Sequence, residues 1–159
     1  MAEIRPLKDF PQFAPVLAYW SYNLWYRNRD IEFDIVVRAY RQRAQMSTLP
    51  CAWVAIEETM PIGMVSLKEN DLWSRKDLNP WLASLHVAPE FQKRGSAKQL
   101  INAVIEKSKE FSFNKIYLFL GRDEGIDLAG YYSRMGWRFL EDAVDNDEMP
   151  TKIYYYCIS

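Results

Sequence analysis

The residues with the most chemical content lie in one run, Val87-Ala88-Pro89-Glu90-Phe91-Gln92-Lys93-Arg94-Gly95-Ser96-Ala97. A strand that feeds through a turn at Gly95 into the start of a helix leaves several backbone N–H groups unpaired and converging on one point. Such a point attracts phosphate. The helix dipole adds to the attraction, and Lys93, Arg94 and Lys98 supply positive charge around it. Gly95 and Ala97 are small enough for the backbone to approach a pyrophosphate closely. The same residues also suit an ordinary helix N-terminus with a turn glycine and solvated basic side chains, so the residues alone leave both readings open. The spacing is neither that of a P-loop nor the Gly-x-Gly-x-x-Gly of dinucleotide folds.

Several elements must position this run. Trp81-Leu82-Ala83-Ser84-Leu85-His86-Val87 is nearly continuous in apolar character, as in a central strand covered on both faces, and Pro89 ends it. After Gly95, Ala97, Leu100, Ile101, Val104, Ile105, Ser108 and Phe111 form a helical stripe, with Lys98, Asn102, Glu106 and Lys109 towards water. Ile116 to Leu120 predicts a second central strand, parallel to the first across that helix.

Upstream, a short strand near Glu3 to Arg5 precedes a helix carrying Phe13, Val16, Leu17, Trp20 and Leu24 on one face. A second helix, capped by Asp30 or Asp34, carries Phe33, Val36, Val37, Tyr40 and Ala44. Ala52 to Ile56 and Ile62 to Leu67 read as a hairpin. Downstream, Leu128, Tyr131, Tyr132 and Met135 mark a short helix ending at Gly136. Strands around Trp137 to Leu140 and Ile153 to Ile158 follow, separated by the acidic segment Glu141 to Met149. No internal repeat or linker is visible, and the order predicts an α+β or mixed α/β fold in a single domain, 1–159.

Composition excludes several function classes. The chain has 20 Lys and Arg against 21 Asp and Glu, so the basic footprint of a nucleic-acid binder is missing. No apolar run approaches the roughly 20 residues of a membrane helix, and the N-terminus lacks a signal-peptide layout, so a cytoplasmic protein is expected. Cys51 and Cys157 lie in apolar or aromatic runs that suit buried thiols better than a disulfide. With a single His, no cluster has the spacing of a zinc site, and no metal is implied.

The central run resembles the GNAT (GCN5-related N-acetyltransferase) superfamily. Its pattern is an apolar strand ending Val-x-Pro, then Gln or Arg, two residues, Gly, one residue, and Gly or Ala. Gln92, Gly95 and Ala97 fill those positions. Tyr131-Tyr132-Ser133-Arg134-Met135-Gly136-Trp137 is similar to the family's aromatic-Tyr-x-x-x-Gly-aromatic segment near the C-terminus. The order of elements matches over nearly the whole chain, which implies a central mixed sheet of about six or seven strands flanked by about four helices.

The resemblance implies an acetyl-CoA-dependent N-acetyltransferase acting on a primary amine, with acetyl-CoA as cosubstrate. Gln92, Lys93, Arg94, Gly95, Ser96 and Ala97, with Lys98, would hold the pyrophosphate. Main-chain groups of Leu85, His86 and Val87 would pair with the pantetheine arm and offer an N–H to the developing oxyanion. Tyr132 aligns with the tyrosine that protonates the departing thiolate, although its residue pattern fits plain packing as well.

The match is incomplete where the proton acceptor is concerned. Some relatives carry that base on the central strand, but the matching positions, Ala83 and Trp81, cannot titrate. By strand alternation His86 points to the opposite face from Val87 and reads as a packed core histidine. Asp71, Asp77 and Glu69 are water-mediated alternatives. The Asn that often precedes the last helix is absent, with Gly125 and Asp127 in its vicinity.

Trp20, Tyr22, Trp25 and Tyr26 crowd the end of the first helix and are candidates for an acceptor pocket. Glu141, in the acidic segment, is a candidate to attract a cationic amine. The expected partners are therefore acetyl-CoA and an amine, with no nucleic acid or membrane, and with homodimer assembly allowed. A non-catalytic acyl-CoA-binding or sensing module and a protein N-acetyltransferase are the other readings that the sequence admits.

Overall fold

The computed structural model describes residues 2–121 and 127–158. By contacts the chain divides into two compact units, Met1–Leu67 with Ala83–Val104, and Lys68–Leu82 with Ile105–Ser159. Among the described residues it has seven strands and four α-helices, a mixed α/β fold as the sequence predicts.

The first unit is built on β1 (Glu3–Pro6), β2 (Cys51–Glu57), β3 (Met60–Lys68) and the greater part of β4 (Trp81–Val87), neighbours in that order. β1 and β3 both run antiparallel to β2, and the β2–β3 hairpin turns at Glu58, whose φ is 59°. Helices α1 (Ala14–Ser21) and α2 (Phe33–Gln42) lay Leu17, Ala18, Val36, Val37 and Tyr40 against Ala52, Val54, Ile56 and Met64. A turn of π-helix, Tyr22–Tyr26, continues α1 and carries the aromatic cluster. The expected caps of α2 are not used: the helix begins after Glu32, no side chain caps it, and Asp34 lies inside its first turn.

A buried polar link crosses this core. The Arg43 guanidinium donates to the Ser66 hydroxyl at 2.9 Å and lies over the Tyr40 ring at 4.2 Å, and Tyr40 and Ser21 share a hydroxyl–hydroxyl hydrogen bond. Gly63 lets β3 approach β4, because a Cβ there would stand 3.0 Å from the His86 carbonyl oxygen.

The second unit takes the first residues of β4, then β5 (Lys115–Phe119), β7 (Pro150–Cys157) and β6 (Arg138–Val144), neighbours in that order. β4 meets β5 in parallel at Trp81 and Tyr117, whereas β7 is antiparallel to both β5 and β6. Trp81 is fully buried with Leu72 and Ile153, and its indole donates to the Leu78 carbonyl at 2.7 Å. α4 (Leu128–Arg134) is capped by the Asp127 carboxylate, which accepts the Gly130 N–H. It closes at Gly136, φ 96°, with the Gly136 and Trp137 N–H groups returning to Ser133 and Tyr132. Helix α3 (Ser96–Glu110) has residues in both units, and Leu100, Ile101, Val104, Ile105 and Ser108 of its predicted stripe are buried.

Two expectations need correction. Glu141 to Val144 belong to β6, and the acidic loop shrinks to a turn in which the Asp145 carboxylate accepts the Asp147 and Met149 N–H groups. β6 has one neighbour and is largely exposed, so charged side chains are tolerated along it and apolar alternation is lost. Cys51 is buried as expected, but Cys157 is exposed near the end of β7, and no disulfide joins them.

Candidate functional site

The turn between β4 and α3 is shaped by its own residues. Pro89–Phe91 form a single 3-10 turn, and Lys93 and Gly95 then take left-handed conformations with φ of 65° and 87°. Gln92, just before them, is extended at φ −71° and ψ 162°, so the turn keeps neither strand nor helix geometry before α3 begins. The Gln92 side-chain amide donates to the Val87 carbonyl at 2.9 Å and ties the turn to the end of its strand. The first α-helical bond, from the Gln99 N–H to the Gly95 carbonyl, follows at once.

Three features bear on how open and how charged this turn is. A Cβ at Gly95 would meet nothing within 4 Å, so the space over the turn is open. The first turn of α3 holds no acidic residue. Lys93 and Lys98 are exposed and face water. Arg94 behaves differently from expectation: it pairs with Glu57 at 3.3 Å and lies over the Phe91 ring at 5.2 Å, which offsets its charge. The sequence offered no signal for this pairing, because Glu57 lies in β2, far away in the chain. Ser96 is buried, leaving its main-chain N–H as the group it can offer.

Within β4, Ser84 has φ 56°, a left-handed non-glycine residue inside a strand. Such a residue interrupts the pleat and costs about 1–3 kcal/mol. Side chains beyond it no longer follow the alternation counted from Trp81. Trp81, Leu82 and Ala83 are buried, whereas Leu85 and His86 are half-buried and Val87 is buried again. His86 is thus packed without being fully enclosed. Its ring stands edge-to-face with Trp20 of α1, with centroids 5.4 Å apart.

The structure thus brings Trp20 together with the end of β4 inside the first unit. Trp25, on the π-helical turn, is exposed, and Tyr26 is half-buried with the Arg29 guanidinium over its ring at 5.1 Å. Tyr22 packs edge-to-face on Phe33 of α2.

Tyr132 and Glu141 lie in the second unit. Tyr132 is 8% exposed and packs edge-to-face against Tyr131 and Trp137. Burial pushes the Tyr131 phenol up from its ordinary value. Glu141 forms an ion pair with Arg75, so an ammonium there would compete with a resident cation. Asp71 is paired with Lys68 at 3.1 Å and Asp77 with Arg75 at 2.9 Å. Glu69 is exposed, Asp127 serves as the α4 cap, and Gly125 lies outside the described residues.

Among the described residues no group of His, Cys, Asp and Glu is placed to hold a metal ion, and no helix is long and apolar enough to cross a membrane.

Comparison with known proteins matches residues 16–137 to the model of the acetyltransferase (GNAT) family. No curated protein matches the chain. Among solved structures, an aminoglycoside 6'-N-acetyltransferase complexed with coenzyme A is similar with TM-score 0.75 at 14% identity, over 99% of this chain and 97% of that one. An acetyltransferase from Streptococcus agalactiae is similar with TM-score 0.70 at 15% identity, over 98% of each chain. A chain of the NatC complex bound to Gag peptide and CoA is similar with TM-score 0.67 at 15% identity, over 99% of each chain.

Proposed function

The chain belongs to the acetyltransferase (GNAT) family, and from that premise we propose that it transfers an acetyl group from acetyl-CoA directly to a primary amine of a small molecule. The observation that carries this reading is the β4–α3 turn, where left-handed Lys93 and Gly95 precede a helix start free of acidic residues and the space over Gly95 is open. Its N–H groups from Gln92 to Ala97 would hold the pyrophosphate, with Lys93 and Lys98 adding charge at the rim. The main chain of Leu85, His86 and Val87 would extend along the pantetheine arm as a neighbouring strand does.

The chemistry requires three services from the protein. A proton must leave the acceptor ammonium so that nitrogen can attack the thioester carbonyl carbon. A main-chain N–H of β4 stabilises the negative charge that develops on the carbonyl oxygen. Tyr132 protonates the departing sulfur, a role open to a phenol that holds its proton at neutral pH. The Asp127 cap and the Gly136 closure on either side of Tyr132 support this assignment, because they fix the short helix that presents it. A small acceptor is supported by the aromatic side chains Trp20, near the end of α1, and Trp25 and Tyr26, on the π-helical turn that continues it.

Thiol release with acetyl-CoA and a panel of small amines and peptides tests the reading. Release with particular small amines is the expected outcome. Release with peptides alone would replace the small acceptor by a protein one, and tight acetyl-CoA binding without turnover across the panel would leave a sensing module.

A further inference from the structure

We propose that the His86 imidazole takes the proton from the acceptor ammonium, with Trp20 holding the ring in position; this rests on the acetyl-transfer reading above. On the strand His86 points away from Val87, and it is half-buried where Val87 is buried. The imidazole immediately precedes Val87, whose carbonyl anchors the phosphate-binding turn through Gln92. Its ring meets Trp20, near the end of α1, with centroids 5.4 Å apart. One side chain therefore joins the coenzyme strand to the aromatic cluster proposed for the acceptor, all within the first unit.

Two of the three competing carboxylates are engaged elsewhere. Asp71 and Asp77 are ion-paired with Lys68 and Arg75. An imidazole also has the suitable basicity, since its ordinary pKa of about 6.5 leaves it mostly neutral at pH 7 and able to accept a proton. The Trp20 ring meets the imidazole at an interplanar angle of 63°, a contact that restricts its rotation.

The charged and titratable groups on the elements around His86 are few. α1 carries no charge and contributes Tyr19, and the π-helical turn contributes Tyr22 and Tyr26. β3 brings Lys68 at its far end, and β4 has no other titratable side chain. The following turn and the start of α3 bring Glu90, Lys93, Arg94 and Lys98, and Arg94 is paired with Glu57 of β2.

The step balances without an added reactant. One proton passes from the ammonium to the imidazole and then to solvent. The nitrogen lone pair forms the C–N bond as the C–S bond breaks, and the second nitrogen proton is balanced by the proton that the departing sulfur takes up. The products are the amide, coenzyme A and one released proton.

His86 is the only histidine, so its titration can be followed by NMR without assignment ambiguity. Acetyl transfer is measured from about pH 5.5 to 9 for the wild type and for His86→Asn, with the 13C-imidazole titration of the wild type recorded with and without coenzyme A plus phenethylamine or putrescine. The expected result is a loss of the limb near neutral pH and a fall of about 100-fold in kcat/KM in the variant, with acetyl-CoA affinity unchanged. The imidazole titration should move down when the cationic amine binds. An unchanged profile shape in His86→Asn overturns the proposal. If the wild type binds acetyl-CoA but acetylates nothing, the acetyl-transfer reading fails, and an imidazole titration indifferent to coenzyme A and both amines overturns the His86 assignment separately. Trp20→Ala should shift the same titration, and Trp20→Phe should restore it.

Discussion

The Gln92 side-chain amide donates to the main-chain carbonyl of Val87 at 2.9 Å, so the turn that would hold the coenzyme is clamped to the strand that would line its arm. Gln92→Ala removes that clamp while leaving every backbone N–H in place. Acetyl-CoA affinity is expected to fall several-fold, with a stability loss of about 1 kcal/mol. Calorimetric titration and urea unfolding measure the two quantities, and affinity equal to wild type would show that the turn holds its shape without Gln92.

Ser66 is the hydrogen-bond acceptor for the buried Arg43 guanidinium, whose Nε is itself without a partner. Ser66→Ala removes that acceptor from a buried cation that still lies over the Tyr40 ring. The expected destabilisation is about 2 kcal/mol, in the range for hydrogen bonds to charged groups. Denaturant midpoints at constant slope check it.

Tyr132→Phe deletes one oxygen from a side chain already packed against Tyr131 and Trp137. Turnover should drop by about 100-fold or more if the phenol protonates the thiolate, while coenzyme affinity stays near wild type. Unchanged turnover removes Tyr132 from the mechanism.

Arg75 holds the Asp77 carboxyl below the usual carboxylate range by a side-chain hydrogen bond. A depressed folded-state pKa contributes stability above the unfolded value, near 3.9, that is lost as pH falls through the folded value. Arg75→Gln should return Asp77 towards its ordinary titration in NMR. The variant should also lose less stability than wild type between about pH 4 and 2, by a small amount because the pair is solvent-exposed.

The fold was legible because its main elements have strong periodicity. The stripe from Leu100 to Ser108 and the apolar run from Trp81 to Val87 each have a clear partner in the structure. The β4–α3 turn was equally visible, since a positive φ at Gly95 leaves a glycine in the sequence. β6 was cut short because an edge strand can carry Glu141 and Asp142 without an apolar face. Ser84 left no such mark: a serine in a left-handed conformation looks like any other serine, so the interruption within β4 is not legible. The meeting of Trp20 with His86 is a tertiary event between distant segments, to which local pattern gives no clue.

Gly95 has nothing within 4 Å of the position a Cβ would occupy, yet its φ of 87° suits few L-residues. The requirement at this position is therefore one of handedness and not of size. A semisynthetic chain with D-alanine at position 95 should fold and bind acetyl-CoA like the parent, whereas Gly95→Val should lose that binding, as measured by the same titration. A mirror-image methyl group would be accepted where its natural counterpart is refused.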